Sequence, residues 1–193
     1  MKILFYGSFI PLHGIDIILE AFSLMEKNNI KFEARIIGTG QMYNKMKDLY
    51  EQLELKSVQM DGLFIDEKSL AQEIREHDII LGIFGDSLKA RSVVPNKVYQ
   101  ALACKKAVVT LDSEPISEFF DEKDLITCQR DALILSEKLI NLIKYSLKTP
   151  TVPINYKKKD KKEFKRTFGV PQGLAISNIL ANIYLKEVDT RLE

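Results

Sequence analysis

Short, continuously apolar runs alternate with amphipathic stretches along residues 1–148, and this alternation constrains the fold more than any other feature. Ile3-Leu4-Phe5-Tyr6 is closed by Gly7, and Ile18, Ala21, Phe22 and Met25 then mark one helical face. Phe32 to Ile37 reads as a strand ended by Gly38-Thr39-Gly40, and Met42, Met46, Leu49 and Leu53 as a second helix. A brief strand over Val58 to Met60 ends at Asp61-Gly62, and a short helix is predicted over Glu67–Glu76. The strand Ile79–Phe84 comes next. Pro95 suits the first turn of a helix with Val98, Ala101 and Leu102 buried. Strands over Ala107–Leu111 and, more weakly, Leu125–Thr127 precede a last helix with Leu135, Leu139 and Leu142 on one side. Strands without polar alternation are needed where both faces of a sheet are covered. The pattern therefore predicts an α/β fold: a doubly wound, Rossmann-like parallel sheet with right-handed crossovers. Such sheets bind ligands at the carboxyl ends of their strands, with phosphate at a helix N-terminus.

Of the 193 residues, 46% are hydrophobic and 28% charged, which excludes collagen-like, mucin-like and wholly disordered chains. A net charge of +1 offers no whole-protein attraction to nucleic acid or membrane. Cys104 and Cys128 have no CxxC partner or nearby His and read as small core residues. His13 and His77 lack ligand spacing, so no metal is expected. No apolar run approaches the length of a membrane span, and the first residues do not form a signal peptide. The expected compartment is the cytoplasm.

Charge is unevenly divided. Residues 149–193 carry nine Lys/Arg and five Asp/Glu, net +4, which leaves residues 1–148 at net −3. Thr149-Pro150-Thr151-Val152-Pro153 and the basic run Lys157–Arg166 read as a solvated linker over 149–166.

Six short motifs, in order, resemble the C-terminal, donor-binding domain of family 4 (group 1) glycosyltransferases, one half of their B-type fold. Gly7-Ser8-Phe9-Ile10-Pro11-Leu12-His13-Gly14-Ile15-Asp16 is similar to the family's Gly-Arg-Leu…Lys-Gly-(Ile/Val)-Asp segment. Ile36-Ile37-Gly38-Thr39-Gly40 resembles its Ile-Gly-x-Gly turn, Gly62 a glycine closing the third strand, and Asp78-Ile79-Ile80-Leu81 its Ala-Asp-(Ile/Val)-x-(Leu/Val). Tyr99-Gln100-Ala101-Leu102-Ala103, then Lys106-Ala107-Val108-Val109, resembles Leu-Glu-Ala-Met-Ala…Lys-Pro-Val-Ile.

The resemblance implies a retaining transfer from a nucleoside-diphosphate sugar, used as substrate, without a cofactor. Negative charge builds on the leaving diphosphate, and fixed cations and N–H groups stabilise it. This chain departs from the pattern at the cations. The Arg slot holds Ser8, the Lys slot His13, and the two Glu positions Ser92 and Gln100. Gln100 can still hydrogen-bond a ribose, and Ser8 one phosphate oxygen. His13 is expected to be cationic part of the time at neutral pH. Lys89, Arg91 and Lys97 are replacement cations, with Lys97 preferred because Pro95-Asn96-Lys97 opens a helix aimed at the diphosphate. The catalytic candidates are thus His13 and Lys97; the substrate-binding candidates are Gly7, Ser8, Gly14, Gly40, Asn96 and Gln100. The alternatives are a solvated surface lysine, a loop histidine and glycines that serve only the turn.

A second resemblance lies in the last residues. Phe168-Gly169-Val170-Pro171-Gln172-Gly173-Leu174-Ala175-Ile176-Ser177-Asn178-Ile179-Leu180-Ala181-Asn182-Ile183-Tyr184-Leu185, with Val188-Asp189, is similar to the Pro-Gln-Gly motif of group II intron and retron-type reverse transcriptases. It lacks the Asp-Asp pair that would hold the two metals of polymerisation. Residues 167–193 are therefore expected to be a helical motif fragment, not a polymerase.

The expected function is the donor-binding half of a glycosyltransferase of glycan or polysaccharide biosynthesis, inactive without an acceptor domain. The expected partners are a nucleoside-diphosphate sugar, a separate acceptor-binding domain or chain, and a membrane surface reached through a glycan acceptor; nucleic acid is not expected. Two alternatives stay open: a degenerate nucleotide-binding module without turnover, and a nucleic-acid-associated fusion with a reverse-transcriptase fragment.

Overall fold

The computed structural model describes residues 1–148; the expected linker over 149–166 and the segment 167–193 lie outside the described residues. The elements are β1 (Lys2–Tyr6), a 3-10 turn (Pro11–His13), α1 (Ile15–Lys27), β2 (Glu33–Ile37) and α2 (Tyr43–Gln52). Then come β3 (Val58–Asp61), α3 (Glu67–Glu76), β4 (Ile79–Leu81), α4 (Leu88–Arg91) and α5 (Asn96–Ala103). β5 (Ala107–Leu111), α6 (Glu114–Phe119), β6 (Ile126–Cys128) and α7 (Ala132–Lys148) complete them.

The six strands form one sheet in the order β3-β2-β1-β4-β5-β6, and every pairing is parallel. Side chains alternate across a pleated strand, so each apolar strand feeds two cores. Ile3, Phe5, Ile36, Ile79, Leu81 and Val109 join the layer that holds Ile18, Phe22 and Met25 of α1 and Leu135 and Leu139 of α7. Leu4, Tyr6, Ile37, Ile80 and Val108 face the other layer, with Ile74 of α3, Val98 and Ala101 of α5 and Ile116 of α6. The two-sided cover expected from the unbroken apolar runs is what forms.

The structure differs from the sequence-based expectation at β4, which stops at Leu81 instead of reaching Phe84. Gly82 still donates its N–H to Val109 O, but the N–H groups of Phe84 and Gly85 turn away to His13 O (3.0 Å) and Leu12 O (3.1 Å). The backbone leaves the ladder to brace the loop after β1. Pro95 is the N-cap of α5, one position earlier than expected. The 3-10 turn, α4 and α6 were not anticipated, since three to six residues show too little period to read. Cys128 is buried, as expected, and Cys104 is half-buried.

Candidate functional site

β1 is the pivot of the sheet, with β2 on one side and β4 on the other. The chain leaves β1 toward β2 and β3, then returns to β4, so a crevice opens at the carboxyl ends of β1 and β4. Three segments border it: the loop Gly7–Gly14, the loop after β4, and the N-terminus of α5.

Gly7 and Gly14 are required by geometry. Gly7 has φ +140°, and a Cβ there would stand 2.9 Å from His13 Cε1 and 3.2 Å from Lys97 Nζ. Gly14 has φ +60°, and a Cβ would stand 2.3 Å from the Phe84 carbonyl carbon and oxygen. Both turns thus exclude a side chain sterically as well as by backbone conformation. Gly40 packs against the backbone of Phe9, and Phe9 N–H donates to Thr39 O at 2.9 Å, which ties the first two loops together.

Lys97 is not a surface lysine. It is 6% exposed, and its buried Nζ has no hydrogen-bond partner. The ammonium lies 4.0 Å from the centroid of the Phe5 ring and 5.5 Å from that of Tyr6, so the aromatic faces of β1 are its main attraction. Burial pulls its pKa down to about 7.

His13 sits beside it at the end of the 3-10 turn. Its Nδ1 donates to Ser8 O, and its ring meets Phe5 edge-on at a centroid distance of 5.6 Å. Burial, and next the Lys97 charge, pull its pKa down to about 4, against the opposing bond to Ser8. The expectation of a partly cationic His13 at neutral pH is corrected: the ring is neutral there, because burial disfavours its charged form and the nearby Lys97 amine adds to that.

Ser8 and Asn96 are exposed at the rim, Asn96 as the first residue of α5, whose N-cap Pro95 supplies no side-chain cap. Lys89 and Arg91 are exposed in the last turn of α4. Ser92 donates its hydroxyl to Leu88 O at 2.7 Å. Gln100 accepts a hydrogen bond from the Tyr6 hydroxyl at 2.9 Å through Oε1, which keeps its amide N–H groups as donors. The structure therefore gathers Gly7, His13 and Lys97 at one point, ties Gln100 in through Tyr6, and leaves Ser8 and Asn96 on the edge.

Sequence reasoning missed Tyr6 and a pocket that adjoins the crevice at Gly7 and Ser8. A pocket at the ends of β1, β2 and β3 is lined by Tyr6, Gly7, Ser8, Gly38, Thr39, Leu63 and Phe64, among others. Phe64 is 86% exposed beside it. The position of Tyr6 before Gly7 was a usable signal; Phe64 had none. On the other flank, beside Gly14, Arg130 donates to Asp16 at 2.8 Å and anchors the start of α1 to the residues before α7. Among the described residues no cluster of three or more His, Cys, Asp or Glu could hold a metal ion.

The family model described as glycosyl transferases group 1 matches residues 1–160. The chain belongs to the group 1 glycosyltransferases. Solved structures with the same fold include the catalytic domain of cholesterol-α-glucosyltransferase from Helicobacter pylori, at TM-score 0.61 and 14% identity over 98% of each chain. The C-terminal domain of LpcC, a glycosyl transferase group 1 family protein from Francisella tularensis, aligns at TM-score 0.62 and 18% identity, over 100% of this chain and 86% of that one. HepE from Anabaena, in complex with UDP-glucose, aligns at TM-score 0.64 and 14% identity, over 98% of this chain and 48% of its own. No curated protein matches the sequence. The motifs read between Gly7 and Val109 thus belong to a group 1 glycosyltransferase domain, and the sheet beneath them is the fold its structural neighbours share. The reverse-transcriptase-like motif lies outside the described residues. Among the described residues no helix is long and apolar enough to cross a membrane.

Proposed function

We propose that this domain is the donor-binding half of a retaining glycosyltransferase of glycan or polysaccharide biosynthesis, and that it takes a nucleoside-diphosphate sugar in the crevice between β1 and β4. The observation that carries this reading is the buried, unpartnered Lys97 ammonium directly beneath the Gly7 turn and one residue inside the start of α5. A cation without a partner at a helix N-terminus is matched by an anion, and a diphosphate supplies one of the right charge. Gln100, held by Tyr6, is placed to donate to ribose oxygens. The exposed Phe64 offers a ring face for the base.

In this reading an acceptor domain or a separate chain supplies the other half of the site; this chain spans 48% of the HepE chain that it resembles. Transfer takes place in the cytoplasm, with membrane contact made only through a glycan acceptor. A second reading, a nucleotide-binding module without turnover, is favoured by the neutral His13 and by Ser8, which together leave one buried cation where charge develops. Calorimetric titration with UDP-, GDP-, ADP- and CMP-sugars tests donor binding. Hydrolysis or transfer of the bound sugar, with and without an acceptor domain, separates an enzyme half from a silent module. Failure of every sugar nucleotide to bind removes both readings.

A further inference from the structure

Lys97 presents an energetic difficulty that the diphosphate reading does not by itself resolve. A charged amine removed from water without a hydrogen-bond acceptor is costly, and such groups lose their charge instead. The titratable groups that border Lys97 are His13, from the 3-10 turn, and Tyr6, from β1, whose hydroxyl is already committed to Gln100. On its own helix Asn96 and Gln100 are uncharged. Among the described residues no Asp or Glu forms an ion pair with it.

We propose that the crevice binds its diphosphate together with a proton, and that Lys97 is the group that receives it. The proposal rests on the diphosphate reading above. In the empty crevice the amine is half discharged near neutral pH, as its lowered pKa of about 7 agrees. Gly7 itself puts no side chain between Nζ and the crevice: a Cβ there would be 3.2 Å from Nζ and 2.9 Å from His13 Cε1. An anion seated over Gly7 therefore comes within the distance of about 4–6 Å at which opposite charge favours the protonated form. The neutral amine takes a proton from solvent, becomes an ammonium, and stays so while the anion is bound. His13 does not compete for that proton, because burial and the Lys97 charge both disfavour its own protonation. Affinity is thereby set by pH as well as by contacts, and a nucleoside diphosphate with its extra charge draws the proton more strongly than the sugar nucleotide.

The test is calorimetric titration of the whole chain with UDP at pH 8, where the terminal phosphate of UDP is already deprotonated, in HEPES and in Tris. The proposal requires apparent heats that differ between the buffers by the uptake of nearly one proton, about 0.9, and an affinity that falls about tenfold from pH 8 to pH 9. Lys97→Met removes both effects. Carbon NMR of the lysine Cε on the parent protein reads the same event without a variant: the Lys97 resonance titrates near pH 7 when free and at about pH 10 or above with UDP. UDP binding with buffer-independent heat and an unmoved Lys97 titration overturns proton uptake and leaves the diphosphate reading standing. Absence of binding by UDP and by all the sugar nucleotides overturns both.

Discussion

The Nζ of Lys97 stands 4.0 Å from the centroid of the Phe5 ring, a cation held against an aromatic face in place of a carboxylate. Phe5 comes from the central strand and Lys97 from the first turn of a helix more than ninety residues later, so the pair exists only because β1 and α5 meet at the crevice. An amine held this way is compatible with folding but poorly compensated, and the protein's response to pH follows from it.

Lys97→Met removes a buried charge and keeps the side-chain volume. Burial lowers the group from 10.5 to about 7, so between those values the unfolded chain binds more protons than the folded one. Parental stability therefore rises with pH across that window. The variant is expected to be more stable than the parent by about 1–3 kcal/mol at pH 6, with the advantage fading toward pH 10. Urea unfolding at three pH values checks this, and a variant less stable at pH 6 would contradict the placement of the amine.

His13 works on the acid side. Its folded pKa of about 4 lies below the ordinary 6.5, so the unfolded chain again binds more protons between them. Stability is lost as pH falls through this window, on the order of 2–3 kcal/mol. His13→Gln should flatten that loss, measured as unfolding free energy at pH 6.5 and pH 4. Its effect on UDP affinity should be equal at pH 6 and pH 8, because the ring is neutral at both.

Ser8 is exposed on the rim, one residue beyond Gly7. An arginine there reaches the crevice without entering the core, and its planar guanidinium can bind two phosphate oxygens. Ser8→Arg should tighten UDP binding by about 1.5–3 kcal/mol, with the unfolding midpoint little changed. Unchanged affinity in calorimetry would place the phosphates elsewhere.

Phe64 is 86% exposed, so its ring contributes little to folding. If it carries the base, Phe64→Ala should weaken UDP binding by about 1–3 kcal/mol, the range for a base stacked on an aromatic ring, and leave thermal stability unchanged. Inorganic pyrophosphate, which has no base, should bind parent and variant alike.

The sheet was legible because its signal is local. An unbroken apolar strand and a helix with one apolar stripe each carry their burial in their own residues, and the parallel order follows from their alternation. β4 was read too long because Ile83 and Phe84 are as buried as strand residues. The N–H groups of Phe84 and Gly85, however, donate to His13 O and Leu12 O of the 3-10 turn, a partner some seventy residues away that no local pattern announces. The candidate site was legible in part. Gly7, His13 and Lys97 were singled out and lie together, while Gly14 braces the loop after β4. Tyr6 was passed over although it precedes Gly7, and Phe64 because a phenylalanine in a loop carries no local mark of a crevice.

The sequence alone determined the longer helices and the strands, the parallel sheet they build, and the glycines its turns require, because these depend on periodicity and on backbone freedom. Only the tertiary structure decided the charges. Whether a lysine at a helix start is a solvated cation or a half-neutral amine, and whether a loop histidine can take a proton, depends on how much water is left around each nitrogen and on how close the two lie. Burial and separation across the β1–α5 contact fix those quantities, and they are properties of the packed fold, not of any stretch of chain.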